Sequence, residues 1–220
     1  MEIIWHGQSC FTIKGSSATL VTDPYSAANG LTPPLFKADI VTVSHAHENH
    51  NNVAAVEGEN VKVFDWPGEY ESKEVMISCI EIHRFLKPEE KTDLKRPQLL
   101  ATYIEMDGIK ICHLGGLEKR LTGEMIEAIG DVDVLLLPVG GGDMITAKTA
   151  HEVIEQVEPR IVIPMHYKID GLKEDIAPLD VFIKEMGIHV EPTDKWVIKH
   201  RKEMSEETTG YVILMPTHQT

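Results

Sequence analysis

The sequence predicts an α+β fold with two sheet layers packed face to face, and three observations point to it. Short runs of β-branched residues fill the first half. Similar runs alternate with helical patterns in the second. Between two of them, Asp107-Gly108 readily supplies the two positive φ angles of a tight antiparallel hairpin.

The first-half runs are Ile3 to Trp5, Cys10 to Lys14, Thr19 to Thr22, Ile40 to Val43, Val61 to Phe64 and Val75 to Ile82, each bounded by Gly, Pro, Asn or Ser. Leu99 to Met106 and Ile109 to His113 flank the Asp107-Gly108 turn and should pair antiparallel. Val132 to Val139 is almost wholly apolar and leads into Gly140-Gly141-Gly142. A helical pattern from Thr146 to Val157 and a strand from Arg160 to Met165 complete a βαβ unit. Ala147, Ala150, Val153, Ile154 and Val157 share one face of that helix, Thr146 suits its N-cap, and Pro159 blocks continuation. A second helix is expected over Pro178 to Met186, with Pro178 in the first turn and Gly187 as its stop. Trp196 to Lys199 and Tyr211 to Met215 read as closing strands around the polar stretch His200 to Thr209. There is no short repeat, and one domain spanning 1–220 is expected.

With 220 residues, 42% hydrophobic and 25% charged, the chain can bury a full core as a soluble protein. Thirty-five acidic against twenty-one basic residues give a formal charge of −14, which repels a phosphate backbone. The densest basic stretch, Lys87 to Arg96, is interleaved with Glu89, Glu90 and Asp93 and reads as a solvated loop, so no nucleic-acid partner is expected. No run of about 18 apolar residues occurs, and the amino terminus begins in strand-like sequence; both argue against secretion and a membrane partner. Cys10, Cys79 and Cys112 are odd in number and far apart, as buried reduced thiols of a cytoplasmic protein would be. The sequence leaves a homo-oligomer open.

Three apolar strands end in histidine: Ile40 to Val43 runs into His45, Ile109 to Cys112 into His113, and Ile161 to Met165 into His166. Buried strands deliver their last side chains to one sheet edge, so these histidines can converge. His45 and His47 are two apart, and in an extended loop both rings point to one side, with His50 following. Neutral imidazole ligates Zn²⁺ at ~2.0–2.1 Å, and catalytic zinc typically keeps three protein ligands and an open position. His45, His47 and His113 could form that trio. Glu48, between ligands in an extended loop, points away from them.

At these residues the chain resembles the metallo-β-lactamase superfamily, in particular small bacterial hydrolases related to ascorbate-phosphate lactonase. The resemblance covers most of the chain. Trp5-His6-Gly7-Gln8-Ser9-Cys10-Phe11 looks like the family's opening strand and turn, and Val21-Thr22-Asp23-Pro24 like its second strand. His45-Ala46-His47-Glu48-Asn49-His50 matches the His-x-His-x-Asp-His loop except at Asn49. Pro67-Gly68-Glu69-Tyr70, His113-Leu114-Gly115-Gly116, Pro138-Val139-Gly140-Gly141 and Ile163-Pro164-Met165-His166-Tyr167 follow in the expected order.

The resemblance implies a four-layer αββα sandwich, a first metal site at His45, His47 and His113, and a second at His50 and His166. It also implies hydrolysis of a small-molecule ester, lactone or phosphoester, with metal-bound hydroxide as nucleophile. Three departures stand out: Asn49 and Gly116 replace the family's aspartates, and Gln8 replaces a common histidine of the opening turn. Two divalent ions ~3.5–4 Å apart need bridging anions, so the missing carboxylates predict one ion. Zinc is the first candidate, with Mn or Fe as alternatives. Asn49 can orient a water without accepting its proton, leaving His166 or His50 for proton transfer. Asp23 is expected to support a ligand histidine from behind, or to serve as a turn residue. The alternative function is a catalytically degenerate binding or structural protein of the same fold. Gly140 to Gly142 read as a loop, Asp143 as a weak substitute carboxylate, and Arg84 to Gln98 as a flap or an exposed connection, with His83 beside it. His151, His200 and His218 carry no assigned role.

Overall fold

The computed structural model describes residues 1–82 and 98–217. Among them the strands form two principal sheets and a small parallel pair, Phe36–Lys37 with Val56–Glu57. The first sheet runs in the order Trp196–Val197, Glu2–Trp5, Phe11–Lys14, Thr19–Thr22, Ile40–Thr42, Lys62–Phe64. Pairing is antiparallel as far as Thr19–Thr22 and parallel beyond it. The second runs Gly210–Tyr211, Ile161–Met165, Val134–Pro138, Ile109–His113, Leu99–Met106, Val75–Ile82, Gly68–Ser72. Here the pairs from Gly210–Tyr211 to Ile109–His113 are parallel and the rest antiparallel.

Burial explains the stacking. Ile3, Trp5, Phe11, Ile13, Leu20 and Ile40 of the first sheet share one buried cluster with Val75, Ile77, Leu100, Ile104, Ile111 and Leu135 of the second. The alternation of side chains then sends Val21 to the opposite face, where it packs with Tyr25, Leu31 and Phe36 in a smaller cluster. That outer layer consists of loop segments and the short 3₁₀ turns Ala27–Asn29 and Val53–Ala55. Among the described residues three α-helices follow in the second half: α1 (Gly123–Ile129), α2 (Ala147–Val157) and α3 (Leu179–Met186). The αββα sandwich is therefore present, with its bulkier helices beside the second sheet.

Local chemistry accounts for the boundaries. Asp107 and Gly108 take φ of 54° and 70°, and Met106 pairs with Ile109 across the two-residue turn. Thr146 caps α2 by accepting from the Thr149 N–H, and Glu158 closes it in the left-handed region at φ 50°. Pro178 stands at the N-cap of α3, one position outside the helix, because its ψ of 164° is extended. Helix α1 has no counterpart in the sequence reading: it is seven residues long and opens on Gly123, and the Thr122 cap on the Met125 N–H starts it. Gly68–Ser72 is a further unannounced strand, because Glu69 and Glu71 beside Tyr70 leave too little apolar patterning to see. The closing segments shrink to two residues each and join different sheets. Cys10, Cys79 and Cys112 are all buried free thiols.

Candidate metal centre

The C-terminal ends of the parallel strands carry the loops that build the site. Asp23 follows Thr19–Thr22, the 43–50 loop follows Ile40–Thr42, Gly140 to Met144 follow Val134–Pro138, and His166 to Ile176 follow Ile161–Met165. Between the last three lies a cleft of about 440 Å³ whose lining includes His45, His47, Asn49, His50, His166 and Glu174. The His45 and His50 ring centres are 4.2 Å apart, His45 and His47 6.0 Å, and His50 and His166 5.8 Å and nearly parallel.

Hydrogen bonds fix which nitrogen of each ring bears the lone pair. Asp23 is fully buried and accepts from Ser44 N at 2.7 Å, Ser44 Oγ at 2.6 Å and His50 Nδ1 at 2.8 Å. Because the Ser44 hydroxyl spends its only proton on Asp23, it can only accept from His45 Nδ1, 3.0 Å away. His45 and His50 therefore both carry hydrogen on Nδ1 and the lone pair on Nε2. His47 Nδ1 accepts from the Asn49 N–H at 3.2 Å, so there the lone pair is on Nδ1. Burial pulls the pKa of His50 down, keeping it neutral. Burial works against the Asp23 anion, but His50 and Ser44 outweigh it and hold this carboxyl below its ordinary value.

His113 does not line the cleft. Its Nε2 donates to the Ser9 carbonyl oxygen at 2.8 Å, and its Nδ1 is buried without a hydrogen-bond partner. Burial lowers its pKa too. The structure thus brings His45, His47, His50 and His166 to one wall and leaves His113 outside that lining. Asp23 makes no opening on the cleft and acts on His50 and Ser44 from behind.

The donor chemistry fits a divalent cation: the imidazole nitrogens of four histidines on one wall, and buried amide oxygens, Asn49 Oδ1 and Gln8 Oε1, that have no partner. Among the described residues no three His, Cys, Asp or Glu side chains are already gathered tightly enough to hold an ion. The residues fit in kind, without a closed coordination shell.

The departures in sequence have structural correlates. A Cβ at Gly116 would lie 3.1 Å from both His45 Cε1 and Met144 Sδ, so the glycine is packed against the site. Asp143 borders the cleft but is exposed, and Glu48 is exposed with its carbonyl accepting from Ser26 N. A Cβ at Gly140 would overlap the His166 carbonyl oxygen, which accepts from Gly140 N at 3.1 Å; only glycine permits that approach. Gln8, Asp23 and His166 all take positive φ, of 51°, 39° and 52°. Such backbone costs about 1 kcal/mol or more per residue and clusters at functional sites.

Sequence reasoning missed Glu174. Its Oε1 accepts from Gln8 Nε2 and Asn49 Nδ2, both at 2.9 Å, and its Oε2 from His166 Nε2 at 3.1 Å. Partial burial opposes the anion, but the bonds from His166 and Gln8 hold its pKa below the usual value. In the run Lys173-Glu174-Asp175 it looks like solvated loop charge. The available signal was the pair of neutral amides at positions 8 and 49, which call for an acceptor. Ser44 and Ser9 were also missed; the Ser9 hydroxyl lies 3.3 Å from His166 Nδ1. His151 lies near Glu155 and Glu185 on the helical side, and His200 precedes a short turn. His83, His218 and the expected flap, apart from Gln98, lie outside the described residues.

Comparison with known proteins bears on this arrangement. Residues 2–166 match the family model described as a beta-lactamase superfamily domain. A Thermotoga maritima protein, described as a proposed Zn-dependent hydrolase of the metallo-β-lactamase superfamily, is 34% identical. The two structures superpose with a TM-score of 0.78, covering 97% of this chain and 98% of that one. A metallo hydrolase of Ignicoccus hospitalis shares the fold at a TM-score of 0.61 and 20% identity, covering 84% and 90% of the two chains. A Thermoplasma acidophilum protein named a UPF0173 metal-dependent hydrolase is 27% identical over 223 residues, covering 86% of this chain and 94% of its own length.

Proposed function

The chain belongs to the metallo-β-lactamase superfamily, and on that premise we propose that it is a metal-dependent hydrolase of a small ester, lactone or phosphoester. One observation carries this reading: four imidazoles from two sheets border a single cleft, and hydrogen bonds at Nδ1 place the lone pair of two of them, His45 and His50, on Nε2. Imidazole-rich sites suit zinc, and one ion is proposed, with Mn or Fe as alternatives. His45, His47 and His50 would hold it, with His113 and His166 as further candidates. When bound, the ion would polarise a carbonyl or phosphoryl oxygen and lower the pKa of a water toward ~7.

The chain's own residues supply the rest. Asp23 holds His50 in its Nδ1–H form and, through Ser44, holds His45 likewise. Asn49 offers Oδ1 to orient a water or a substrate N–H or O–H. His166, fixed by Ser9 and Glu174, is placed to hold or pass a proton at a ring nitrogen. The cleft suits a small molecule. Three buried thiols agree with a cytoplasmic protein, and no described helix is long and apolar enough to cross a membrane.

Elemental analysis of purified protein, with Zn- and Mn-loaded samples assayed on lactone, ester and phosphodiester panels, tests the reading. One bound ion and hydrolysis, both lost in His45→Ala, are expected. Turnover that survives this substitution refutes the reading, and two stoichiometric ions refute the single-ion site. A second reading, a binding member of the fold without turnover, is favoured by Gly116, which brings no carboxylate to the site. It predicts metal and ligand binding with no product on any panel.

A further inference from the structure

We infer that Glu174 supplies the carboxylate of this site: the negative charge that Asn49 and Gly116 do not provide comes from the loop after His166, where it serves as a ligand to the ion. The inference rests on the metal-dependent reading above and goes beyond it by naming a ligand that the His-x-His loop does not contain.

The juxtaposition is specific. The Glu174 carboxylate touches two of the three positions at which the chain departs from the expected pattern, Gln8 and Asn49, and also His166. Both amides present nitrogen to it. An aspartate at 49 would instead set two carboxylates in hydrogen-bond range of each other, an arrangement disfavoured by like-charge repulsion. Asparagine at 49 and a carboxylate at 174 are therefore complementary. With each nitrogen committed to Glu174, the amide oxygens Asn49 Oδ1 and Gln8 Oε1 are left buried and without partners.

The loop that delivers the carboxylate is clamped. Lys168 Nζ donates to the carbonyl oxygens of Leu172 and Glu174, both at 2.6 Å, and Lys168 N to that of Ala177 at 2.9 Å. Ala177 N in turn donates to Gly140 O at 2.7 Å, tying the loop to the glycine that touches His166. A solvated side chain would need none of this. Asp143 and Asp175 also border the cleft, but both are exposed, whereas the Glu174 side chain is 31% exposed and aimed at the histidine wall.

The test measures zinc affinity of the full chain by competition with a chromophoric chelator, with bound zinc counted by elemental analysis and folding checked by circular dichroism. His47→Ala should lose the ion. Glu174→Gln should bind zinc at least about tenfold more weakly, and adding Asn49→Asp to Glu174→Gln should restore affinity by placing a carboxylate at the neighbouring position. If wild-type protein binds no zinc, and elemental analysis finds no manganese or iron in its place, the metal-dependent reading falls and this inference with it. If His47→Ala loses zinc while Glu174→Gln keeps wild-type affinity, only the inference is overturned. A loss in Glu174→Gln that Asn49→Asp does not restore also overturns it, because Glu174 would then be a tie for the loop alone.

Discussion

Asp23 and His50 form a buried pair, with His50 Nδ1 donating to Asp23 Oδ2 at 2.8 Å and neither side chain more than 2% exposed. The same carboxylate gathers the backbone N–H and the hydroxyl of Ser44, so one residue sets two histidine orientations. Asp23→Asn leaves the left-handed backbone tolerable, since asparagine accepts positive φ. It removes the charge and one acceptor. A loss of about 2 kcal/mol is expected from urea unfolding, as for leaving a buried donor without its acceptor; a change below about 0.5 kcal/mol would contradict the account.

Acid stability should report on His6. Its ring is held between Thr217 Oγ1 at 2.6 Å and Thr12 Oγ1 at 2.7 Å, and burial, aided by the charge of Lys14, lowers its pKa to about 4. The unfolded chain binds this proton near pH 6.5, the folded chain only near 4. The contribution to stability is therefore complete above about pH 6.5 and is lost as pH falls toward 4, on the order of 3 kcal/mol in all. In His6→Gln this part of the slope should vanish from unfolding curves taken between those pH values, while the slope from carboxylates persists.

Gly140→Ala should be disruptive out of proportion to one methyl group. The added carbon meets backbone, the His166 carbonyl and Tyr167 Cα, and not the yielding end of a side chain. Overpacking of this kind costs about 1–3 kcal/mol. Thermal unfolding measures the loss, and weakened zinc binding should accompany it because His166 must shift.

Asp133 anchors the C-terminal segment. Its buried carboxylate receives Arg201 Nε at 2.7 Å, Lys110 N at 3.0 Å and faces Arg160 Nε at 3.1 Å. Asp133→Ala leaves two guanidinium groups without their shared partner, and a destabilisation of about 2–4 kcal/mol follows. Trypsin cleavage near Arg201 and Lys202 should then be faster than in wild type; equal cleavage rates would argue that the segment is held by other contacts.

Most of the longer strands and the βαβ unit were legible because both rest on local periodicity: the alternation along Val75–Ile82, the apolar run at Val134–Pro138, and the spacing of Ala150, Val153 and Ile154 on α2. Helix α1 and the strand Gly68–Ser72 were not, since neither carries enough apolar residues to announce itself. At the site, the cluster around His45 was visible in a single short loop. Glu174 was not, because a carboxylate in a polar stretch acquires meaning only from what stands opposite it. For His113, the end of a strand tells which edge the ring reaches, not which of its nitrogens a carbonyl such as that of Ser9 takes; here Nε2 is taken and Nδ1 has no hydrogen-bond partner.

The wall of histidines is split between the layers, with His45, His47 and His50 hanging from the first sheet and His166 and Glu174 from the second. Their separation is thus set by the thickness of the apolar filling beneath them, with residues such as Leu20 and Ile111 as the spacers. The site is a gauge of how the two slabs are stacked, and a residue deep in that filling can mistune it without touching any loop.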